Sequence, residues 1–251
     1  MAEASSAGAP APLSERARKQ LLQVSTATLT TNLFKRGFHN LYVQGIRLLN
    51  AKAPRLVGPA FTLRHIPARE DLDVMTAFEG RSHPQRVAIE TVPQGHVLVM
   101  DCRGDTRAAS AGGILVTRMM KRGAAGLVTD GGLRDSMEIA ELDFPVYCAG
   151  PSAPTNLTRH HAIDINVPIA CGEIPVYPGD IMVGDGEGVV CIPRHLAEDV
   201  AAAAWDMHCY EEFVIGEVQG GHQLWGLYPA EAEAKARFEQ WKAAGKAPKL
   251  D

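Results

Sequence analysis

Helical periodicity is strongest towards the two ends of the chain. After Ser14, a residue type that favours a helix N-cap, apolar residues recur at three- and four-residue spacings as far as about Lys35. The run TATLTT in this segment is rich in β-branched residues, so the pattern predicts one helix or two shorter ones. A long helix is predicted after Pro193 as far as about Glu217, and an amphipathic stretch covers Ala230 to Ala243.

The middle of the chain alternates between short apolar runs and helical stretches. Buried strands are predicted at 95–101, 126–130 and 145–148, with helices at 114–122 and 136–142 between them. Crossovers of this kind connect parallel strands of one sheet. Beyond residue 160 the pattern changes to short strands separated by turns, which predicts hairpins over 163–170, 174–176, 181–183 and 189–192.

The pattern predicts a single α/β domain. No linker-like composition interrupts residues 55–215, so we place the domain at 14–218. Residues 1–13 offer little apolar area and are predicted to be a disordered tail. Residues 219–251 form a C-terminal extension that we expect to pack on a neighbour or on another subunit.

The composition of the chain mainly excludes certain classes of function. The chain has 251 residues, and 25 Lys and Arg against 29 Asp and Glu give a formal charge of −4 with no basic block. Nucleic-acid binding needs phosphate-neutralising charge, and a membrane span needs about 18 apolar residues in a row; the chain offers neither. Five widely spaced cysteines and an N-terminus without a signal-peptide pattern predict reduced thiols and a cytoplasmic protein.

Two loops at predicted strand ends carry candidate chemistry. The first contains Gly112 and Gly113 and leads into a helix at Ile114, where exposed backbone N–H groups and the helix dipole favour a carboxylate or phosphate. The alternative interpretation is a flexible glycine turn.

The second loop runs from Asp130 to Asp135. Arg134 can clamp a carboxylate with its guanidinium fork, and Asp135 can hold a divalent cation whose other ligands are water. The structural alternative is equally open. Asp135 and Glu138 fit a variant helix-capping box, and Arg134 then pairs with Asp130.

Several segments together resemble the RraA-like family, which includes the 4-hydroxy-4-methyl-2-oxoglutarate aldolases and the regulator of ribonuclease activity A. The likeness extends from about residue 20 to 215, and its motifs lie at 112–115, 122–131, 134–135, 144–146, 176–180 and 184–193. The resemblance implies an αββα-type sandwich related to the swivelling phosphohistidine domain, assembled as a homotrimer or homohexamer. It also implies a divalent-metal-dependent lyase of the class II pyruvate aldolase type, which cleaves 4-hydroxy-2-oxoacids or decarboxylates oxaloacetate through a pyruvate enolate.

The resemblance also assigns residue roles. Arg134 binds the 2-oxoacid carboxylate and stabilises enolate charge, Asp135 ligates Mg²⁺ or Mn²⁺, and the backbone amides from Gly112 to Leu115 hold the pyruvyl carboxylate. The family signature is an Asp, twenty residues and then Arg-Asp, and its first Asp falls at Gly113. Loss of a carboxylate that orients metal-bound water weakens metal affinity or activity by about 10–100-fold. Asp105 is a nearby carboxylate that could substitute for it.

Family members also take a proton-relay acid from a neighbouring subunit, late in the chain. Glu211 and Glu212 are the candidates, and we prefer Glu211 because it lies just off the apolar stripe of its predicted helix while Glu212 faces water. The structural alternative for either is a solvated surface glutamate.

We therefore expect a metal-assisted carbon–carbon lyase acting on a small 2-oxoacid. Two alternatives remain. The loss of a carboxylate at Gly113 favours a non-catalytic, protein-binding regulator of ribonuclease activity. The extension 219–251 fits a subgroup in which the same pocket serves another reaction, such as sugar-acid dehydration.

Overall fold

The computed structural model of the protein describes residues 12–250. Nearly all of the predicted tail 1–13 lies outside these residues. The helices are α1 Glu15–Gln23, α2 Thr26–Phe34, α3 Pro84–Thr91, α4 Gly113–Lys121, α5 Ser136–Ala140, α6 Ala197–Gln219 and α7 Ala232–Ala243. The strands are β1 Arg47–Leu48, β2 Leu56–Pro67, β3 Val97–Asp101, β4 Ala109–Ala111, β5 Gly126–Thr129, β6 Gly132–Leu133, β7 Val146–Cys148, β8 Gly150–Pro151, β9 His160–Ile165, β10 Ile169–Cys171, β11 Ile174–Val176, β12 Ile181–Gly184 and β13 Val189–Ile192.

Two serine caps decide the arrangement of the first helices. The Ser14 side chain accepts a hydrogen bond from the Ala17 N–H, and Ser25 accepts one from the Thr28 N–H. Since an N-cap residue has extended rather than helical backbone, Ser25 separates α1 from α2. The sequence pattern was compatible with one helix or with two shorter ones, and the structure has two.

A mixed sheet forms the centre of the molecule. Its strand order is β1-β7-β5-β3-β2-β12-β13, and β9 pairs with β2. The predicted parallel pairing of β3, β5 and β7 is confirmed. The predicted hairpins are confirmed for β10 with β11 and for β12 with β13, which pair antiparallel. The single strand predicted at 163–170 is wrong, because the chain there forms β9, which pairs with β2, and then β10. The mixed α/β class is therefore correct, while the relation to the swivelling phosphohistidine domain stays a prediction.

A second, smaller sheet stands at the carboxyl ends of the central strands. The strands β4, β6 and β8 follow β3, β5 and β7 in the chain and pair in parallel with one another. The loops predicted at 108–113 and 131–135 therefore each contain a short strand. The prediction missed them because strands of two or three residues depend on their pairing rather than on a local pattern.

Helices cover the sheet on both sides. Buried residues of α3, α4 and α5 pack against β3, β5 and β7 in one cluster, and those of α1, α2 and α6 pack against β12 and β13 in another. The extension contributes α7, which packs on α6 of the same chain through aromatic contacts of Phe213 with Phe238 and Trp241. None of the helices in residues 12–250 is long and apolar enough to cross a membrane.

Buried polar groups lie where β3 and β5 end. Asp130 accepts hydrogen bonds from the Cys102 N–H at 2.6 Å and the Gly104 N–H at 3.0 Å, and Asp101 accepts one from the Arg103 N–H at 2.9 Å. Burial raises the pKa of both carboxyl groups. All five cysteines are free and buried, and burial raises the pKa of Cys102 to about 12, so this thiol stays protonated.

His65 lies among the same buried polar groups and makes the stability of the folded protein depend on pH. Burial lowers the pKa of His65 to about 4, and its Nδ1 lies 2.9 Å from the Asp101 carbonyl oxygen. Because the unfolded chain binds the proton at higher pH, His65 contributes stability that is present above its ordinary pKa of 6.5 and is lost as the pH falls towards about 4. The loss amounts to about 3 kcal/mol.

We expect His65→Asn to reduce this pH dependence, because Asn keeps a donor for the Asp101 carbonyl and does not titrate. The measurement is the free energy of unfolding in urea at pH 7 and pH 4.5 for both proteins. Asp101 and Asp130 act in the opposite direction, since their raised pKa values favour the folded state as the pH falls. They are common to both proteins and cancel in the difference. Equal pH dependence in the two proteins would contradict this role of His65.

Candidate active site

A small cleft lies beside the three-stranded sheet, at the N-terminus of α4. Its volume is about 120 Å³, which suits a ligand much smaller than a drug-sized molecule. The residues that line it come from five parts of the chain: Phe78, Gln85, Arg86, Ala109, Ala111, Gly112, Ile114, Leu115, Arg134, Asp135, Thr155 and Asn156. The structure thus brings the two candidate loops together in one cleft.

The turn after β6 points Asp135 at the start of α4. Asp135 has a left-handed backbone with φ of 57°, a conformation that Asp tolerates better than most residues. Its Oδ2 accepts a hydrogen bond from the Gly113 N–H at 2.9 Å. The carboxylate therefore caps α4, and it makes no side-chain capping bond to α5. The capping-box alternative on Glu138 is wrong, because the turn directs the side chain to the other helix.

Arg134 and Asp135 form a half-exposed pair. Arg134 Nε lies 3.8 Å from Asp135 Oδ2, and the two side chains are 48% and 46% exposed. The alternative partner, Asp130, is buried and accepts its hydrogen bonds from backbone N–H groups instead. Arg134 therefore keeps most of its donors available to a ligand in the cleft.

Gly112 leaves the space that these two side chains occupy. A Cβ at Gly112 would lie 2.8 Å from both Arg134 Nε and Asp135 Oδ2, which is closer than real Cβ atoms approach. Its backbone is extended, with φ of −132°, so the requirement is steric and not conformational. The flexible-turn interpretation does not explain this contact.

Gly113 is different, because a side chain there has room. A Cβ at Gly113 would meet Asp135 Cβ at 3.4 Å and Asp135 Oδ2 at 3.6 Å, which are ordinary contacts. The position at which the resemblance implies a carboxylate therefore has space for a Cβ. Asp105 does not replace it: its carboxylate lies 2.7 Å from Arg107 Nη2 and 3.1 Å from Arg159 Nε, and it lines another cavity.

The N-terminus of α4 offers one unused amide to an anion. The Gly113 N–H is bonded to Asp135 and the Leu115 N–H donates to the Gly112 carbonyl oxygen at 3.0 Å. The Ile114 N–H has no acceptor among the described residues. Of the four amides in the predicted cradle from Gly112 to Leu115, those of Gly113 and Leu115 therefore have partners inside the protein, while that of Ile114 is ready for a ligand.

Glu211 lies away from the cleft of its own chain. It is half-buried on α6, and its Oε2 accepts a hydrogen bond from Thr28 Oγ1 at 2.7 Å. Glu212 is exposed, as predicted. Neither residue lines the cleft.

Five cleft residues have no sequence signal that marks them: Phe78, Gln85, Arg86, Thr155 and Asn156. They come from the turn and helix at 75–91 and from the 3₁₀ turn at 156–158, both distant in sequence from the two glycine loops. No local motif marks them, since the folding of the chain alone brings these segments to the cleft.

A divalent cation in the cleft would have to take most of its ligands from water. Within residues 12–250 no three His, Cys, Asp or Glu side chains converge as metal ligands. Among the described residues Asp135 Oδ1 has no hydrogen-bond partner, and Asp135 lines the cleft. Mg²⁺ is commonly held by one or two carboxylates together with water and substrate oxygens, and Asp135 fits that pattern.

Similar proteins share this fold and part of this sequence. A protein of Halalkalibacterium halodurans, provisionally named a 4-hydroxy-4-methyl-2-oxoglutarate aldolase, is 35% identical over 150 residues, which are 60% of this chain and 65% of that protein. One of Ectopseudomonas mendocina with the same provisional name is 34% identical over 104 residues, which are 41% of this chain and 64% of that protein. The chain thus spans slightly less than two thirds of each relative's length.

Solved structures extend the likeness over most of the chain. Streptomyces coelicolor RraAS2, described as an unusual member of the RNase ES inhibitor RraA family, has a TM-score of 0.72 at 29% identity, covering 81% of this chain and 97% of that one. An uncharacterised protein of Pseudomonas syringae pv. tomato has a TM-score of 0.74 at 25% identity, covering 87% of this chain and 99% of that one. A family model described as RraA-like, aldolase/RraA, matches residues 26–191. Since that match covers well over half of the 251 residues, the chain belongs to the RraA-like family.

Proposed function

We propose that the protein is a carbon–carbon lyase that releases pyruvate from a small 2-oxoacid, by aldol cleavage or by decarboxylation of oxaloacetate. The observation that carries the proposal is the meeting of Arg134, Asp135 and the N-terminus of α4 around Gly112. The provisional names of the relatives support the same reaction class.

The chain's own residues bind and orient the acid. The guanidinium of Arg134 forms charge-assisted hydrogen bonds with a carboxylate, and the Ile114 N–H at the positive end of α4 adds a further donor. As the carbon–carbon bond breaks, negative charge develops on the enolate oxygen of pyruvate. A fixed guanidinium beside that oxygen stabilises the charge in the transition state.

Asp135 is the residue that would hold a divalent cation, Mg²⁺ or Mn²⁺. When bound, such a cation polarises the 2-oxo group of the substrate as a Lewis acid. Because Asp135 is the single cleft carboxylate among the described residues, we expect weak cation binding.

The direct test is pyruvate release from oxaloacetate and from 4-hydroxy-4-methyl-2-oxoglutarate, measured with a coupled lactate dehydrogenase assay. We expect release in the presence of Mg²⁺ or Mn²⁺ and its loss on addition of EDTA. Spontaneous decarboxylation of oxaloacetate is subtracted with a blank that contains the same metal and no enzyme. No enzyme-dependent pyruvate from either acid would overturn the proposal.

Restoring the signature carboxylate at position 113 gives a second prediction. We expect Gly113→Asp to bind Mn²⁺ about tenfold more tightly, because the added carboxylate lies beside Asp135 in space that accepts a Cβ. Gly113→Asn is the matched control, since it has the same size without the charge. Titration calorimetry with Mn²⁺ measures the affinities, and equal affinities of the Asp and Asn variants would contradict the prediction.

The role proposed for Glu211 depends on the assembly of several copies of this chain. We propose a homotrimer or homohexamer in which Glu211 of one subunit serves the cleft of the next as proton relay, because Glu211 does not reach the cleft of its own chain. Its hydrogen bond from Thr28 ties the carboxylate of α6 to α2.

The second candidate function is a protein-binding regulator of ribonuclease activity. Gly113 favours it, since the position lacks a carboxylate although it has room for one. Ile114 in the cleft lining and Met137, two residues after Asp135, are 82% and 80% exposed, which suits a protein contact. A purified endoribonuclease of the type bound by RraA, assayed with and without the protein, tests this function, and an unchanged cleavage rate would count against it.

A further inference from the structure

The cleft continues into a larger groove between α3 and α4. The groove has a volume of about 730 Å³ and shares four lining residues with the cleft: Phe78, Arg86, Ile114 and Leu115. The cleft itself, at about 120 Å³, has room for little more than a small acid held at Arg134. Because the shared residues connect the two cavities, a substituent that extends from such an acid has the groove as its continuation.

Apolar side chains form much of the wall of this groove. Helix α3 contributes Val87, which is half-buried, and Ile89, which is buried. Helix α4 contributes Leu115, which is half-buried, and Ile114, which is 82% exposed in the first turn of the helix. A ligand that covers these side chains gains free energy, because removing apolar surface from water is favourable.

The charged residues of the groove are more exposed than most of its apolar residues. Arg118 Nη2 lies 2.7 Å from Glu90 Oε2, and both side chains are about half exposed, so these two charges offset each other. The guanidinium carbon of Arg86 lies 4.7 Å from the centre of the Phe78 ring, a cation–π contact, and Arg81 is exposed. The groove therefore combines apolar surface in its deeper part with charge at its edge, an arrangement that suits an apolar ligand group.

We propose that the groove between α3 and α4 is a subsite for an extended apolar substituent, which makes the protein favour 2-oxoacids that carry a hydrocarbon chain beyond C4. The chain leaves the cleft along Ile114 and Leu115 and covers Val87 on the opposite helix. The inference rests on the proposed function in that Arg134 holds the 2-oxoacid end in the cleft.

Binding of a series of acids tests the subsite without catalysis. Pyruvate, 2-oxohexanoate and 2-oxooctanoate share the same acid end and differ in the length of an unbranched chain. We expect the full-length protein with Mg²⁺ to bind 2-oxooctanoate at least about thirtyfold more tightly than pyruvate in titration calorimetry, with 2-oxohexanoate between them. The estimate follows because each added carbon contributes about twofold when half of it is buried and about fourfold when it is fully buried.

Two substitutions in the groove and one outside it locate the effect. Ile114→Ser removes exposed apolar surface, and Val87→Phe fills part of the groove with a side chain, so each should lower the affinity ratio of 2-oxooctanoate to pyruvate by about fivefold or more. Met137→Ser is the matched control, because Met137 is 80% exposed and lines neither the cleft nor the groove. Its affinity ratio should stay at the wild-type value.

Several results would overturn the subsite: an affinity that does not rise with chain length, a ratio that neither groove substitution lowers, or an equal fall in Met137→Ser. If the affinity does not rise with chain length and Ile114→Ser dissociates an assembly in analytical ultracentrifugation, the groove belongs to a contact with a second copy of this chain. Failure of the proposed function reads differently: the affinity rises with chain length and depends on the groove, while no pyruvate is released from any acid.

Discussion

Asp135→Asn is expected to lower kcat/KM for pyruvate release by about 10³-fold while leaving the fold intact. The substitution removes the charge that would hold a divalent cation, and a Lewis acid contributes several kcal/mol to such a reaction. Asn keeps an oxygen that accepts the Gly113 N–H, and like Asp it tolerates the left-handed backbone found at this position. Steady-state kinetics across a range of Mn²⁺ concentrations checks the loss.

A second substitution separates the two roles of Asp135. Asp135→Ala removes both the charge and the acceptor for Gly113, and it strains the backbone at φ of 57°. We expect a lower melting temperature in Asp135→Ala than in Asp135→Asn, with activity equally low in both. If Asp135→Asn retained wild-type activity and Asp135→Ala did not, the residue would act as a helix cap and not as a cation ligand.

The main strands and first helices of this fold could be predicted because their signals are local. Continuous apolar runs mark β3, β5 and β7, which are buried on both faces, and Ser14 and Ser25 mark the starts of α1 and α2. The strands β4 and β6 could not be predicted, since each forms only by pairing across the small sheet. Their presence aligns the two glycine loops and fixes the direction of Asp135.

The residues of the candidate site could also be predicted only in part. Arg134 and Asp135 could be proposed from residue type and from their place after a strand, but the partner of Asp135 depends on a left-handed turn that the sequence does not announce. Arg86 and Asn156 belong to segments without a recognisable motif and become site residues only when α3 and the turn at 156–158 reach the cleft. The cleft residues next to a motif were therefore predictable, and those contributed by distant segments were not.

Gly112→Ala is expected to reduce kcat/KM by about 10²-fold, although it adds a single methyl group. That methyl would lie 2.8 Å from Arg134 Nε and Asp135 Oδ2 and 2.9 Å from Arg134 Cγ, so both side chains must move away from the N-terminus of α4. A displacement of about 1 Å at a reacting centre costs roughly this factor. The same steady-state assay of pyruvate release measures it.

A substitution at the neighbouring residue, Gly113, provides the matched control for this prediction. Gly113→Ala adds the same methyl group one residue later, at the first position of α4, where the nearest contact is 3.4 Å from Asp135 Cβ. Ala is favoured over Gly in a helix, so we expect near wild-type activity and equal or higher stability from Gly113→Ala. Equal losses in the two variants would mean that the loop tolerates no side chain in general. A loss confined to Gly112→Ala would locate the requirement at the contact with Arg134 and Asp135, because that contact is what distinguishes the two positions.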